Sequence, residues 1–188
     1  MQPYNNAASG LKKMFIAEIG AIICAVVAII PILGIIGVLG SLVFLVISLI
    51  GLNNAGKDIE GCKNAFTLTI VQLIVSVIAG LFGSGVLGTI LTIVNDIFAL
   101  LIVRAVCMSV AEVMDMQRQP EIAGKGRTVW KINLVCYVIA IILSVISLIP
   151  LLGFAIAAIG SLITGILSLI ASIMYMIFLN NSYKALSV

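Results

Sequence analysis

Histidine is missing altogether from this 188-residue chain, and only 9% of its residues are charged, against roughly 25% in an ordinary soluble domain. Too few charges are present to cover a soluble surface, and the chain is far too apolar for disorder, which needs polar, charge-rich sequence. Without histidine there is no imidazole base for a nucleophilic triad and no H-E-x-x-H metal helix. The four cysteines, Cys24, Cys62, Cys107 and Cys136, lie far apart with no C-x-x-C pair. They read as reduced thiols, and no metal or cofactor is expected. The surplus of three positive charges is too small and scattered to bind nucleic acid. The segment Gly51-Leu-Asn-Asn-Ala-Gly56-Lys57 begins like a phosphate-binding loop, but Asp58 stands where Ser or Thr must hold magnesium, and no strand precedes it. Nucleotide binding is therefore not expected. No G-x-S-x-G elbow is present, and an intramembrane aspartyl protease would need two deep acids where only Asp96 is deep. The chain is not expected to be an enzyme.

What is present is apolar length. Some 63% of the residues are hydrophobic and the mean hydropathy is +1.34. No charge occurs from Ile19 to Gly56, from Asn64 to Asn95, or from Ile132 to Tyr183. A membrane span takes about 20 apolar residues, so these windows hold pairs of helices. Glycine and proline place the turns at Pro31 to Gly34, Phe82 to Gly85 and Pro150 to Gly153. The expected helices are 14–30, 33–51, 65–82, 86–107, 131–149 and 153–179. A barrel would alternate polar and apolar residues, and these segments do not. Lys12-Lys13 followed by an apolar run resembles a signal peptide, but the run is too long and leads into a second span, so it reads as a retained helix.

The fold class is thus an all-α integral membrane protein with six transmembrane helices in three tandem hairpins, 14–51, 65–107 and 131–179. Segment 1–13 precedes a single membrane domain over 14–188, with a polar loop at 108–130 broken by Pro120 and Gly124-Lys-Gly126. All ten Lys and Arg residues fall on the side of the termini, so both termini are expected in the cytoplasm, in a bacterial plasma membrane. The hairpins resemble one another as a degenerate triplication. A basic residue and an aromatic open each odd helix (Lys13/Phe15, Lys63/Phe66, Arg127/Trp130), and Phe15 and Phe66 stand at the same spacing as Gly34 and Gly85. Leu52-Asn-Asn-Ala-Gly-Lys57 is echoed by Leu179-Asn-Asn-Ser-Tyr-Lys184. Parallel repeats of this kind differ from the inverted repeats of many secondary transporters.

Small residues recur at helical spacing on every span, most plainly as Ala157, Ser161, Gly165, Ser168 and Ser172, a helix-packing face by the usual logic of membrane bundles. Asp96 lies about 15 Å into the fourth helix, near the bilayer midplane. Gln72 should meet it at that depth, with Asn95, Thr92 and Thr89 nearby. This is the candidate polar site, serving either as a structural pin or as a ligand for a proton or monovalent cation. Glu18 and Arg104 should sit at comparable depth and form a structural ion pair. The reading that follows is a non-enzymatic membrane scaffold or accessory subunit that self-associates or joins other membrane subunits, with the lipid bilayer as its constant partner. The alternatives are a proton- or cation-coupled transporter or channel titrating at Asp96, and a hairpin protein that shapes the bilayer.

Overall fold

The computed structural model describes residues 4–28, 30, 33–82, 86–146 and 153–187, the side chains of 153–159 and 161 excepted. Six helices follow in order: α1 (Asn5–Ala28), α2 (Gly34–Ala55), α3 (Glu60–Phe82), α4 (Val86–Met116), α5 (Pro120–Ile146) and α6 (Gly153–Leu186). No strand occurs among the described residues. Within them, α2, α3, α4, α5 and Leu162–Leu186 of α6 are long and apolar enough to cross a membrane. Their broad apolar faces are exposed, as lipid contact requires, and the chain is an integral membrane protein by that measure. α1, which carries Lys12, Lys13 and Glu18, does not meet the same standard. The expected turns at Pro31, at Gly83 to Gly85 and at Pro150 lie outside the described residues.

The helices outrun the apolar windows. α1 begins nine residues before Met14, and α4 runs on to Met116. Segment 120–130, expected as loop, is the first part of α5. The cause is that hydropathy reports the solvent around a helix and not the state of its backbone. Pro120 does not break the helix but opens it, in the first-turn position where a missing N–H costs nothing. The break lies just before. Arg118 takes the left-handed conformation (φ 56°), Arg118 N–H donates to Asp115 O at 3.0 Å, and Gln119 N–H donates to Met114 O at 2.8 Å. This is the Schellman arrangement that ends many helices, with arginine where glycine is usual.

Consecutive helices pack against one another and α6 returns to α1, closing a circuit; α2 and α3 meet over the shortest stretch. α1 and α2 approach most closely. A methyl group at Gly10 would stand 2.5 Å from both Ala55 N and Gly51 O, and one at Gly51 would stand 2.8 Å from Gly10 O. Glycine is what lets the two backbones touch. The first turn of α1 is capped from a distance: Ala7 N–H donates to the Asp58 carboxylate at 2.8 Å and Asn6 Nδ2 donates to it at 3.0 Å. A carboxylate at a helix N-terminus is favoured by the unpaired N–H groups and the dipole.

The buried core gathers at the end that carries both termini, where Phe15 of α1 packs on Tyr183 of α6 with ring centroids 5.9 Å apart. Its members include Leu11, Met14, Leu52, Cys62, Val106, Val110, Met114, Val129, Phe178 and Leu179. Ser182 is fully buried among them, and its Oγ has no hydrogen-bond partner among the described residues. A buried hydroxyl without a partner costs about 1–3 kcal/mol, so Ser182→Ala is expected to raise the thermal unfolding midpoint of the purified protein. A lowered midpoint would mean that the hydroxyl is bonded after all.

Candidate functional site

A cavity of about 320 Å³ lies between the helices, and all six contribute to its wall. Glu18 enters from α1, Ser48 from α2, Thr69 and Gln72 from α3 and Ala99 from α4. Asn133 and Tyr137 of α5, with Ser172 and Tyr175 of α6, complete the polar part of the lining. The positions follow a rule. Glu18, Thr69 and Asn133 each come three residues after the aromatic at the start of their apolar run (Phe15, Phe66, Trp130). Ser48 and Tyr175 each come four residues before the leucine of their Leu-Asn-Asn motif, Leu52 and Leu179.

The cavity is closed at the termini end. On every helix core residues lie on that side of the lining residues: Leu11 before Met14, Ala55 after Leu52, Ala65 before Thr69, Val106 after Val103, Val129 before Asn133, Phe178 after Tyr175. Toward the other end the same helix faces run on with small residues. Ala21 and Ala25 follow Glu18, Gly80 follows Gln72, and Ser168 and Gly165 follow Ser172 in the direction of that end, all of them exposed. A side chain placed at Gly80 or at Gly165 would meet nothing within 4 Å. The face expected to pack helices therefore leaves Gly165 and Ser168 uncovered, while Ser172 lines the cavity; the side chains of Ala157 and Ser161 lie outside the described residues. Small residues permit close packing and an open lumen equally well, which is why the stripe alone could not distinguish them.

Hydrogen bonding gives the lining a definite polarity. Asn133 Nδ2 donates to Val129 O at 2.9 Å, Thr69 Oγ1 donates to Ala65 O at 2.8 Å, and Gln72 Nε2 donates to Asn95 O at 3.3 Å. Each bond commits one donor hydrogen to a backbone carbonyl: Thr69 keeps only acceptor capacity, and the Gln72 and Asn133 amides keep an acceptor oxygen with one further N–H. Glu18 is the one acidic residue in the lining, and no Lys or Arg shares it. Ser172 supplies a side-chain hydrogen bond to the Glu18 carboxyl. A charge withdrawn from water is costly, so an acid walled in among packed helices needs a partner or a task.

The other residues singled out in the sequence fall around this cavity. Gln72 bonds to the backbone of Asn95 and not to the Asp96 carboxyl. Asn95 Nδ2 donates to Ser76 Oγ at 2.7 Å, so Asn95 and Ser76 carry the polar link between α3 and α4. Asp96 is half-buried beside that link and close to Tyr137. Thr92 Oγ1 bonds back to Gly88 O at 3.0 Å, and Thr89 is half-buried one turn away. Glu18 and Arg104 have separate partners: Arg104 is exposed and lies over the Trp130 ring, 5.8 Å from its centroid. The ion pair among the described residues is Arg127 with Asp115. The sequence reading does not single out Tyr137, Tyr175 or Ser48; the signal for Ser48 and Tyr175 is their shared register with Leu52 and Leu179, and Tyr137 lies one helical turn after Asn133. No family model, curated protein or solved structure matches this chain.

Proposed function

We propose that the chain is a small membrane transport protein that passes a small polar solute through the central cavity. In this reading the six helices are three tandem hairpins of a degenerate triplication, both termini lie in the cytoplasm, and the host is a bacterial plasma membrane. The observation that carries it is the cavity itself, lined in part by polar side chains, shared by all six helices and closed by the buried core at the termini end. The shared register of Glu18, Thr69 and Asn133 supports the triplication, and the concentration of basic residues at the termini end supports the orientation. The molecule would then stand open to the outside and closed to the cytoplasm, with solute release requiring the packed end to part.

The test uses a cysteine on the uncovered face. Cys62, Cys107 and Cys136 are buried, and Cys24 is half-buried, so Cys24→Ala combined with Ser168→Cys presents one accessible thiol. In proteoliposomes, a charged, membrane-impermeant thiol reagent added from the side opposite the termini is expected to modify the introduced thiol. It should also suppress by at least tenfold the swelling driven by small osmolytes such as urea, glycine and ethylammonium chloride. Modification only by a lipid-soluble maleimide, with swelling unchanged, would place that face against lipid. The small-residue stripe would then serve self-association, as in a scaffold or accessory subunit.

A further inference from the structure

We infer that the cavity is a binding site for one small organic cation, a protonated amine, with Glu18 as its counter-charge. This deepens the transport reading and rests on it. Three observations converge. Glu18 stands in a wall that has no basic residue, so a bound cation would be the one opposite charge that the site could offer its carboxylate. Thr69, Gln72 and Asn133 have turned donors away to backbone carbonyls and offer oxygens. An ammonium group carries only donors, and this lining supplies the acceptors to receive them. Tyr137 and Tyr175 bring two aromatic rings to the same wall, and aromatic faces attract cations, more strongly where water is excluded.

Size separates an organic cation from a metal ion. The cavity measures about 320 Å³, at the lower end of the range for small-molecule sites, roughly 300–1,000 Å³. It equals the volume of about ten waters. An alkali ion would touch only a small part of such a wall, whereas an amine with a few carbons reaches the carboxylate and the rings together.

The experiment is calorimetric titration of the full chain in phosphatidylcholine nanodiscs with ethylammonium chloride, sodium chloride and the neutral acetamide. Ethylammonium is expected to saturate one site per chain, and Glu18→Gln to weaken it at least tenfold, while acetamide binds both proteins alike. Equal ethylammonium affinity in Glu18→Gln overturns the proposal. So does sodium binding as tightly as ethylammonium, or acetamide binding as tightly in the wild type. If Glu18→Gln does not elute as a folded species, Glu18→Asp carries the test. It keeps the charge but shortens its reach, so affinity should fall at least threefold, and unchanged affinity overturns the site. The two readings fail separately. Ethylammonium binding without any osmolyte flux sinks transport and leaves the site, whereas flux with Glu18-independent binding does the reverse.

Discussion

Gly10→Leu is expected to leave no stably folded protein, whereas Gly165→Ala folds as well as the parent or slightly better. At Gly10 even the first side-chain carbon would collide with two backbone atoms, Ala55 N and Gly51 O, each at 2.5 Å. Backbone cannot rotate aside as a side chain can, so α1 and α2 must separate along their tightest contact. Overpacking typically costs about 1–3 kcal/mol, and a leucine wedged between backbones should exceed about 3 kcal/mol. At Gly165 nothing lies within 4 Å, and alanine gains up to about 1 kcal/mol of helix propensity over glycine. Thermal midpoints from fluorescence-detected size exclusion would measure both. A Gly10→Leu protein that elutes and melts like the parent would mean that α1 and α2 do not cross closely.

Phe178→Ala should be the most damaging truncation of the sealed end, and should also make it leak. The ring is fully buried and is among the largest fully buried side chains in the molecule. It lies over Gly126, where an added carbon would stand 2.7 Å from the ring and 3.1 Å from Cys107 O. It therefore fills the junction of α4, α5 and α6, directly on the termini side of Tyr175. Removing a buried phenylalanine costs about 3–5 kcal/mol, part of it for the void left behind. Here the void would open next to the cavity floor. Proteoliposomes carrying Phe178→Ala should pass urea faster than the parent, and Phe178→Leu, which refills most of the space, should restore both the barrier and most of the stability. A variant that loses stability without any gain in leak would separate the core from the permeation path.

Position along a helix was legible in the sequence and direction was not. Runs without charge locate the helices, and Glu18, Gln72 and Asp96 are placed along them by counting about 1.5 Å per residue. Which way each side chain points depends on a rotation of about 100° per residue, so neighbouring residues face different partners. That one step separates Asn95, which links α4 to α3, from Asp96, which does not. Equal depth likewise suggested that Glu18 pairs with Arg104, but α1 reaches α2 and α6, and Arg104 turns to Trp130. The helix ends were obscured for another reason. Asn5–Lys13, 108–116 and 120–130 are helical because they pack at the termini end, a tertiary cause that local polarity does not register.

The cap on α1 bears on how the chain is made. Asp58 lies 51 residues beyond Ala7, and at about 5–20 residues per second a ribosome needs roughly 3–10 s to supply it. For that interval the first helix has an uncapped start and a carboxyl group in its midst, and its three charged residues Lys12, Lys13 and Glu18 set it apart from the five helices apolar enough to span. Its most extensive contacts are with α2, the next segment to emerge, and its cap arrives as α2 ends; its contacts with α6 must wait for the end of the chain. The order of synthesis therefore favours joint entry of the first two helices into the bilayer, with the Asp58 carboxylate closing behind them and fixing their pairing before the third begins.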